Sequence, residues 1–421
     1  MPITHALPAR ARRLAALGAC ALAAAAACSA PPPAHEAIQA TLVELPSPAG
    51  PDAALPQLAV TPDGRVLTSW LEKSADGRRF RFAALEEDGW TAPVTIAEGD
   101  RFFANWADVP SIVALADGTL AAHWLEKSGP DTYAYDVRVR LSRDGGATWS
   151  PAVSPHTDGT PTEHGFVSMY DDPAGGLGLV WLDGRAMAGH AGGMDAMQAE
   201  MSLRATAFDG DAPRPETLVD GRVCECCPTT AVAVAGGIAI AYRDRAPDEV
   251  RNIAVARLAD GRWSEPAHVH DDGWMIPGCP VNGPALASDG ASRVALAWFT
   301  APDDRPRVNV AFSADGARTF GDPITVDDGA PIGRVDAVLL PEGGALVSWI
   351  EQTPGGAELR VRHVAPDGAR GPSARISNMN ATRSSGYPRM VRAGGALVFA
   401  WTDAGDRTSV RVARAHLEGT P

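Results

Sequence analysis

Trp70-Leu71-Glu72, Trp124-Leu125-Glu126, Trp181-Leu182-Asp183, Tyr242-Arg243-Asp244, Trp298-Phe299-Thr300, Trp349-Ile350-Glu351 and Trp401-Thr402-Asp403 form one series. Each copy is an aromatic residue followed two positions later by an acid, and Thr300 alone breaks the pattern. The copies fall 51 to 61 residues apart. A turn pair precedes each of them: Asp63-Gly64, Asp117-Gly118, Gly175-Gly176, Gly236-Gly237, Asp289-Gly290, Gly343-Gly344 and Gly394-Gly395. A period of this size marks one supersecondary unit stacked many times.

The second copy shows what the unit is. Ser111-Ile-Val-Ala-Leu115 reads as a strand, Asp117-Gly118 as its turn and Leu120-Ala-Ala-His-Trp124 as the return strand. Val137-Arg-Val-Arg-Leu141 alternates as a third strand, and Pro151-Ala-Val153 begins a fourth. Four short strands repeated seven times predict an all-β, seven-bladed β-propeller of four-stranded blades, with a six-bladed ring as the alternative. The seventh unit runs out after its third strand, while Ala40-Thr-Leu-Val-Glu-Leu45 is an orphan strand near the other end. Pairing the two would close the ring and remove an exposed sheet edge.

Between the third and fourth strands of that copy lies Ser142-Arg143-Asp144-Gly145-Gly146-Ala147-Thr148-Trp149. It resembles the Asp-box, or bacterial neuraminidase repeat, at every specified position. Ser313-Ala-Asp315-Gly-Ala-Arg-Thr319-Phe320 is a second copy lacking one glycine. The chain therefore resembles the sialidase superfamily over roughly residues 40 to 420. That resemblance implies a propeller and, at its furthest, an exo-sialidase-type glycoside hydrolase. In that case Tyr387 would be the nucleophile and Asp244 an acid/base, but the Phe/Tyr-Arg-Ile-Pro motif of the family's first arginine is absent from residues 45–110.

At 421 residues with 45% hydrophobic content, the chain can bury a large core. Its 43 glycines and 35 prolines suit many tight turns. The net charge of −14 argues against nucleic acid and anionic membrane surfaces as partners. Arg10, Arg12 and Arg13 precede an apolar run from Leu14 to Ala27, too short for a stable bilayer anchor. Residues 1–27 are expected to be a signal peptide. The stretch up to Cys28 resembles a bacterial lipobox, which implies lipidation of Cys28, a tether over 28–38 and one propeller domain over 39–421. The expected place is the bacterial cell envelope, on the periplasmic or outer-membrane side, held by a lipid anchor only and as a monomer.

Residues that do not recur with the repeat are the functional candidates. Arg243, Arg245, Arg334 and Arg389 are all placed towards the loop face, and guanidinium forks suit a carboxylate ligand. An anionic small molecule or glycan-like ligand is expected there. The sequence leaves the identity of any cofactor open. Cys224, Cys226, Cys227 and Cys279 lie on two neighbouring loops and are disulfide candidates, with a vicinal Cys226–Cys227 bond among the pairings left open. Together with the methionines and His190 of the 187–201 loop they would also make a soft, copper-type ligand set, and the face would equally serve as a protein-interaction scaffold. The recurring acids are read as structural, accepting hydrogen bonds from loop amides.

Overall fold

The computed structural model describes residues 34–189 and 200–417. The expected signal peptide and Cys28, and His190, Met194 and Met197 of the blade-three loop, lie outside them. Among the described residues, no helix is long and apolar enough to cross a membrane.

Seven separate antiparallel sheets succeed one another along the chain. Their innermost strands are Ala54–Val60, Ser111–Ala114, His164–Asp171, Thr230–Val234, Ala285–Ser288, Pro331–Leu339 and Arg389–Ala393. These strands surround one central cavity of about 690 Å³, which Leu58, Val113, Met169, Ala231, Ala287, Val338 and Val391 all line. The fold is thus a seven-bladed β-propeller, as the repeat predicts. Blade two has the weakest outer edge: Val153 makes only an isolated bridge to Val139.

The tryptophan of each copy sits on the second strand, and burial explains its recurrence. Trp70, Trp124, Trp181, Trp298 and Trp349 are fully buried, each against the sheet before it. Trp124 packs with Phe80, Phe82 and Ile96 of blade one, and Trp349 with Val308 and Val310 of blade five. Trp70 closes the circle against Val398, Ala400 and Val412 of blade seven. An aromatic of this size removes about 150–250 Å² from water, roughly 4–6 kcal/mol of gross apolar transfer before conformational entropy is counted.

The ring is closed by the N-terminal segment, over a shorter stretch than expected. Val43–Leu45 pairs with Thr408–His416 in the register Val43↔Arg414, Glu44↔Ala413 and Leu45↔Val412. The residues before it, expected to begin the strand at 40 and to end a tether at 38, form a helix over Ala34–Thr41. Ile38 on that helix is buried with Leu359, Ile376 and Leu397 of the last two blades. Thr41 locks the junction by donating to the His416 carbonyl at 3.0 Å and accepting its N–H at 2.7 Å.

The Ser142–Trp149 turn is tied by its own side chains. Ser142 donates to Asp144 at 2.8 Å and accepts the Gly146 N–H at 2.8 Å. Asp144 also accepts the Thr148 amide and hydroxyl at 2.9 and 2.6 Å. The Ser313–Thr319 turn repeats these bonds with Ala317 in the place of Gly146, and Ala317 takes φ +63° to do so.

Candidate functional site at the loop face

The acids that follow the tryptophans are spoken for. A buried indole N–H needs an acceptor, and the acid two residues on provides it: Trp70 to Glu72 at 2.9 Å, Trp124 to Glu126 at 2.9 Å, Trp181 to Asp183 at 2.8 Å and Trp349 to Glu351 at 2.6 Å. The expected loop-amide donors are present only as additions, such as Ala330 to Glu351 at 2.7 Å. In blade four, where tyrosine replaces tryptophan, Tyr242 donates instead to Asp220 at 2.6 Å. Asp244 pairs with His268 at 2.9 Å.

The candidate arginines divide in two. Arg243 is 1% exposed and spends its guanidinium on the carbonyls of Asn282, Arg251 and Phe299 at 3.0, 2.7 and 2.6 Å. Arg245 pairs with Glu225 and Glu249. These two brace the blade-four loops, which departs from the expectation that they face a ligand. Arg334 and Tyr387 gather around Trp106, and Arg389 lies over Tyr387. Tyr387 stacks on the Trp106 ring at 6.1 Å, with Arg334 at 4.7 Å and the exposed Arg383 at 5.9 Å from that ring. Arg334 also donates to the carbonyls of Thr382 and Gly386, both at 3.1 Å. Arg389 lies 5.5 Å over the Tyr387 ring and lines the central cavity, and its Nε has no hydrogen-bond partner among the described residues.

Tyr387 is placed poorly for nucleophilic work. Its hydroxyl donates to the Val281 carbonyl at 2.6 Å, and burial raises its pKa well above the ordinary tyrosine range.

Asp108, just ahead of the first strand of blade two, lines the same cavity mouth as Arg389. Tyr135 lies between it and Glu163, with its hydroxyl 3.0 Å from Asp108 Oδ2 and 2.7 Å from Glu163 Oε1. One phenolic hydrogen cannot serve both carboxylates, so one acid must keep its proton and donate to the phenol oxygen. Burial pushes Asp108 up to about 7 and Glu163 up to about 8, in keeping with that count. The signal for this trio in the sequence was slight: Asp108, Tyr135 and Glu163 are non-recurring residues on three different segments.

Cys226 and Cys279 form a disulfide that joins the loops leading into blades four and five. The vicinal Cys226–Cys227 pairing is thereby excluded. Cys224 and Cys227 are buried thiols with Sγ atoms 2.8 Å apart. Burial opposes the Cys224 thiolate, but the Cys227 S–H and the Arg251 guanidinium, 3.3 Å from the Cys224 sulfur, outweigh it and bring that thiol down to about 7.

No protein-family profile matches the chain, and no curated protein resembles it closely enough to count as a relative. Solved structures do resemble it. A protein of unknown function from Dyadobacter fermentans is 14% identical, with 90% of this chain and 98% of that one covered at a TM-score of 0.51. The polysaccharide lyase Uly1 is 11% identical, with 84% and 88% covered at 0.51. The Hadza microbial sialidase Hz136 is 14% identical, with 83% and 75% covered at 0.47. At these identities the likeness is one of fold alone.

Proposed function

We propose that this chain is an envelope-anchored propeller that binds an anionic small molecule or glycan-like ligand at its loop face, over the mouth of the central cavity. One observation carries this reading: Arg389 lines the cavity, 5.5 Å over the Tyr387 ring and near the buried carboxyl of Asp336, with its Nε unpartnered among the described residues. Burying part of a guanidinium without an acceptor is costly, and a ligand carboxylate or sulfate removes that cost. Arg383, exposed beside Trp106, adds a second cation. The fold shared with Uly1, named as a polysaccharide lyase, supports a carbohydrate ligand as analogy only.

Exo-sialidase catalysis is not favoured, because the Tyr387 hydroxyl is engaged by a backbone carbonyl. The test is a panel of immobilised oligosaccharides bearing uronate, sialate or sulfate groups, with neutral sugars alongside. Binding confined to the acidic members supports the proposal, and binding to neutral sugars alone or to none removes it. Anchoring rests on the lipobox-like stretch ending at Cys28. Metabolic labelling with palmitate that is lost in Cys28→Ser supports it, and unchanged labelling removes it.

A further inference from the structure

We propose that Cys224, Cys226, Cys227 and Cys279 form a thiol–disulfide exchange relay. It carries two electrons from the buried Cys224–Cys227 pair to the more exposed Cys226–Cys279 pair, and from there to a disulfide outside the chain. The relay is independent of the glycan reading, and its four sulfurs do not recur with the repeat.

Burial separates the two pairs. Cys224 and Cys227 are each 1% exposed, whereas Cys226 is half-buried and Cys279 is exposed. Yet the sulfurs of Cys224-Glu225-Cys226-Cys227 crowd together: Cys224 Sγ lies 2.8 Å from Cys227 Sγ and 3.9 Å from Cys226 Sγ. The second distance is just outside the about 3–3.5 Å of a reacting contact. The backbone fixes Cys224 there, since its N–H donates to the Arg243 carbonyl at 3.0 Å. With Cys226 held in the disulfide, two thiols remain rather than a three-sulfur metal set.

The charges around the cluster favour a thiolate at Cys224. Arg251 Nη1 stands 3.3 Å from its sulfur, and the Cys227 S–H donates to it. Arg245 and Arg251 are matched by Glu225 and Glu249. The buried Arg243, by contrast, makes no ion pair among the described residues, and its three bonds go to carbonyls. A buried guanidinium without a counter-charge is costly. Arg243 acts on Cys227, so an anion shared between the two sulfurs offsets it.

The Cys224 thiolate attacks Cys226 Sγ, the Cys226–Cys279 bond breaks, and Cys279 leaves as a thiolate that takes a proton from water. Cys227 then attacks Cys224 Sγ, and its proton passes to the departing Cys226. The bond now joins Cys224 to Cys227, and two thiols stand on the exposed side. They reduce a small or protein disulfide, R–S–S–R, to two R–SH as the Cys226–Cys279 bond re-forms. An outside dithiol reverses these steps.

The test starts from the full chain, poised with glutathione until two thiols per chain are free, desalted, and treated with N-ethylmaleimide without denaturant. Peptide mass spectrometry locates the label. We expect Cys279 to be labelled at least about tenfold faster than in Cys224→Ser, which keeps the Cys226–Cys279 bond but lacks the attacking sulfur. Arg251→Gln, which keeps all four sulfurs, should slow the labelling about threefold or more. Oxidised glutathione given in place of maleimide should release two glutathione thiols per wild-type chain. Circular dichroism checks folding, and should Cys224→Ser not fold, Arg251→Gln decides. Label confined to Cys224 and Cys227, or none at all, overturns the relay and leaves a static disulfide beside a buried dithiol. So do equal Cys279 rates in wild type and variant, no release of glutathione thiol, or a chain with no two-thiol form at any glutathione ratio.

Discussion

The indole N–H of Trp298 donates to Asp272 Oδ2 at 2.7 Å, although Thr300 stands where the series otherwise carries its acid. Asp272 belongs to the loop leading into blade five, so the acceptor comes from outside the repeat motif. A buried indole left without a partner costs about 1–3 kcal/mol, which is why the pairing recurs in sequence and is restored where the sequence breaks.

Asp272→Ala should therefore lower unfolding free energy in denaturant by about 1–3 kcal/mol. Asp403→Ala should cost under about 0.5 kcal/mol, since Asp403 is half exposed and pairs with Arg411 at 3.2 Å. Equal costs for the two would show that indole satisfaction is not what the acids do.

The closing segment gives a second expectation. Ile38→Ala should destabilise by about 2–4 kcal/mol, because it opens a cavity between the last two blades. Removing residues 34–46 should in addition expose the edge of Thr408–His416 and cause aggregation. A melting curve unchanged by Ile38→Ala would exclude the helix from the core.

The blade count was legible because tryptophan and turn recur in fixed order on a strand whose burial demands them. The helix at Ala34–Thr41 was not, because its Ala-His-Glu-Ala-Ile-Gln-Ala run is short, follows three prolines and leads straight into a β-like Thr-Leu-Val. At the site, arginine type and loop position were legible, but commitment was not: Arg243 and Arg389 look alike in sequence, and only the carbonyls around Arg243 separate them. The Asp108–Tyr135–Glu163 trio was not legible because its members lie on separate segments without a common spacing.

The Ser142–Trp149 and Ser313–Phe320 turns make opposite predictions. Gly146→Ala should cost about 1–3 kcal/mol, since the residue has φ +95° and its Cβ would meet Phe82 at 2.5 Å. Ala317→Gly should be neutral or stabilise by up to about 1 kcal/mol, by relieving a left-handed alanine. Denaturant midpoints with unchanged slopes measure both.

The carboxyl trio sets a pH dependence. Asp108 and Glu163 titrate near 7 and 8 when folded, above the usual 3.8 and 4.5. The folded state then holds protons that the unfolded chain has released. This contribution is complete below pH 4 and is lost as pH rises towards 8. Wild-type stability should fall between pH 5 and 8 by about 1–3 kcal/mol more than that of Asp108→Asn. Parallel curves would show that the pair shares no proton.

The central claim is that Arg389 receives a ligand anion at the cavity mouth. Calorimetric titration of one uronate-bearing oligosaccharide into wild type, Arg389→Gln and Arg243→Gln tests it most directly. The account predicts that Arg389→Gln weakens binding about 10- to 100-fold, the value of one charge-assisted hydrogen bond. It predicts that Arg243→Gln costs stability, because its guanidinium is bonded to three carbonyls, and leaves the affinity of the folded protein near wild type. Equal affinity in wild type and Arg389→Gln would contradict it.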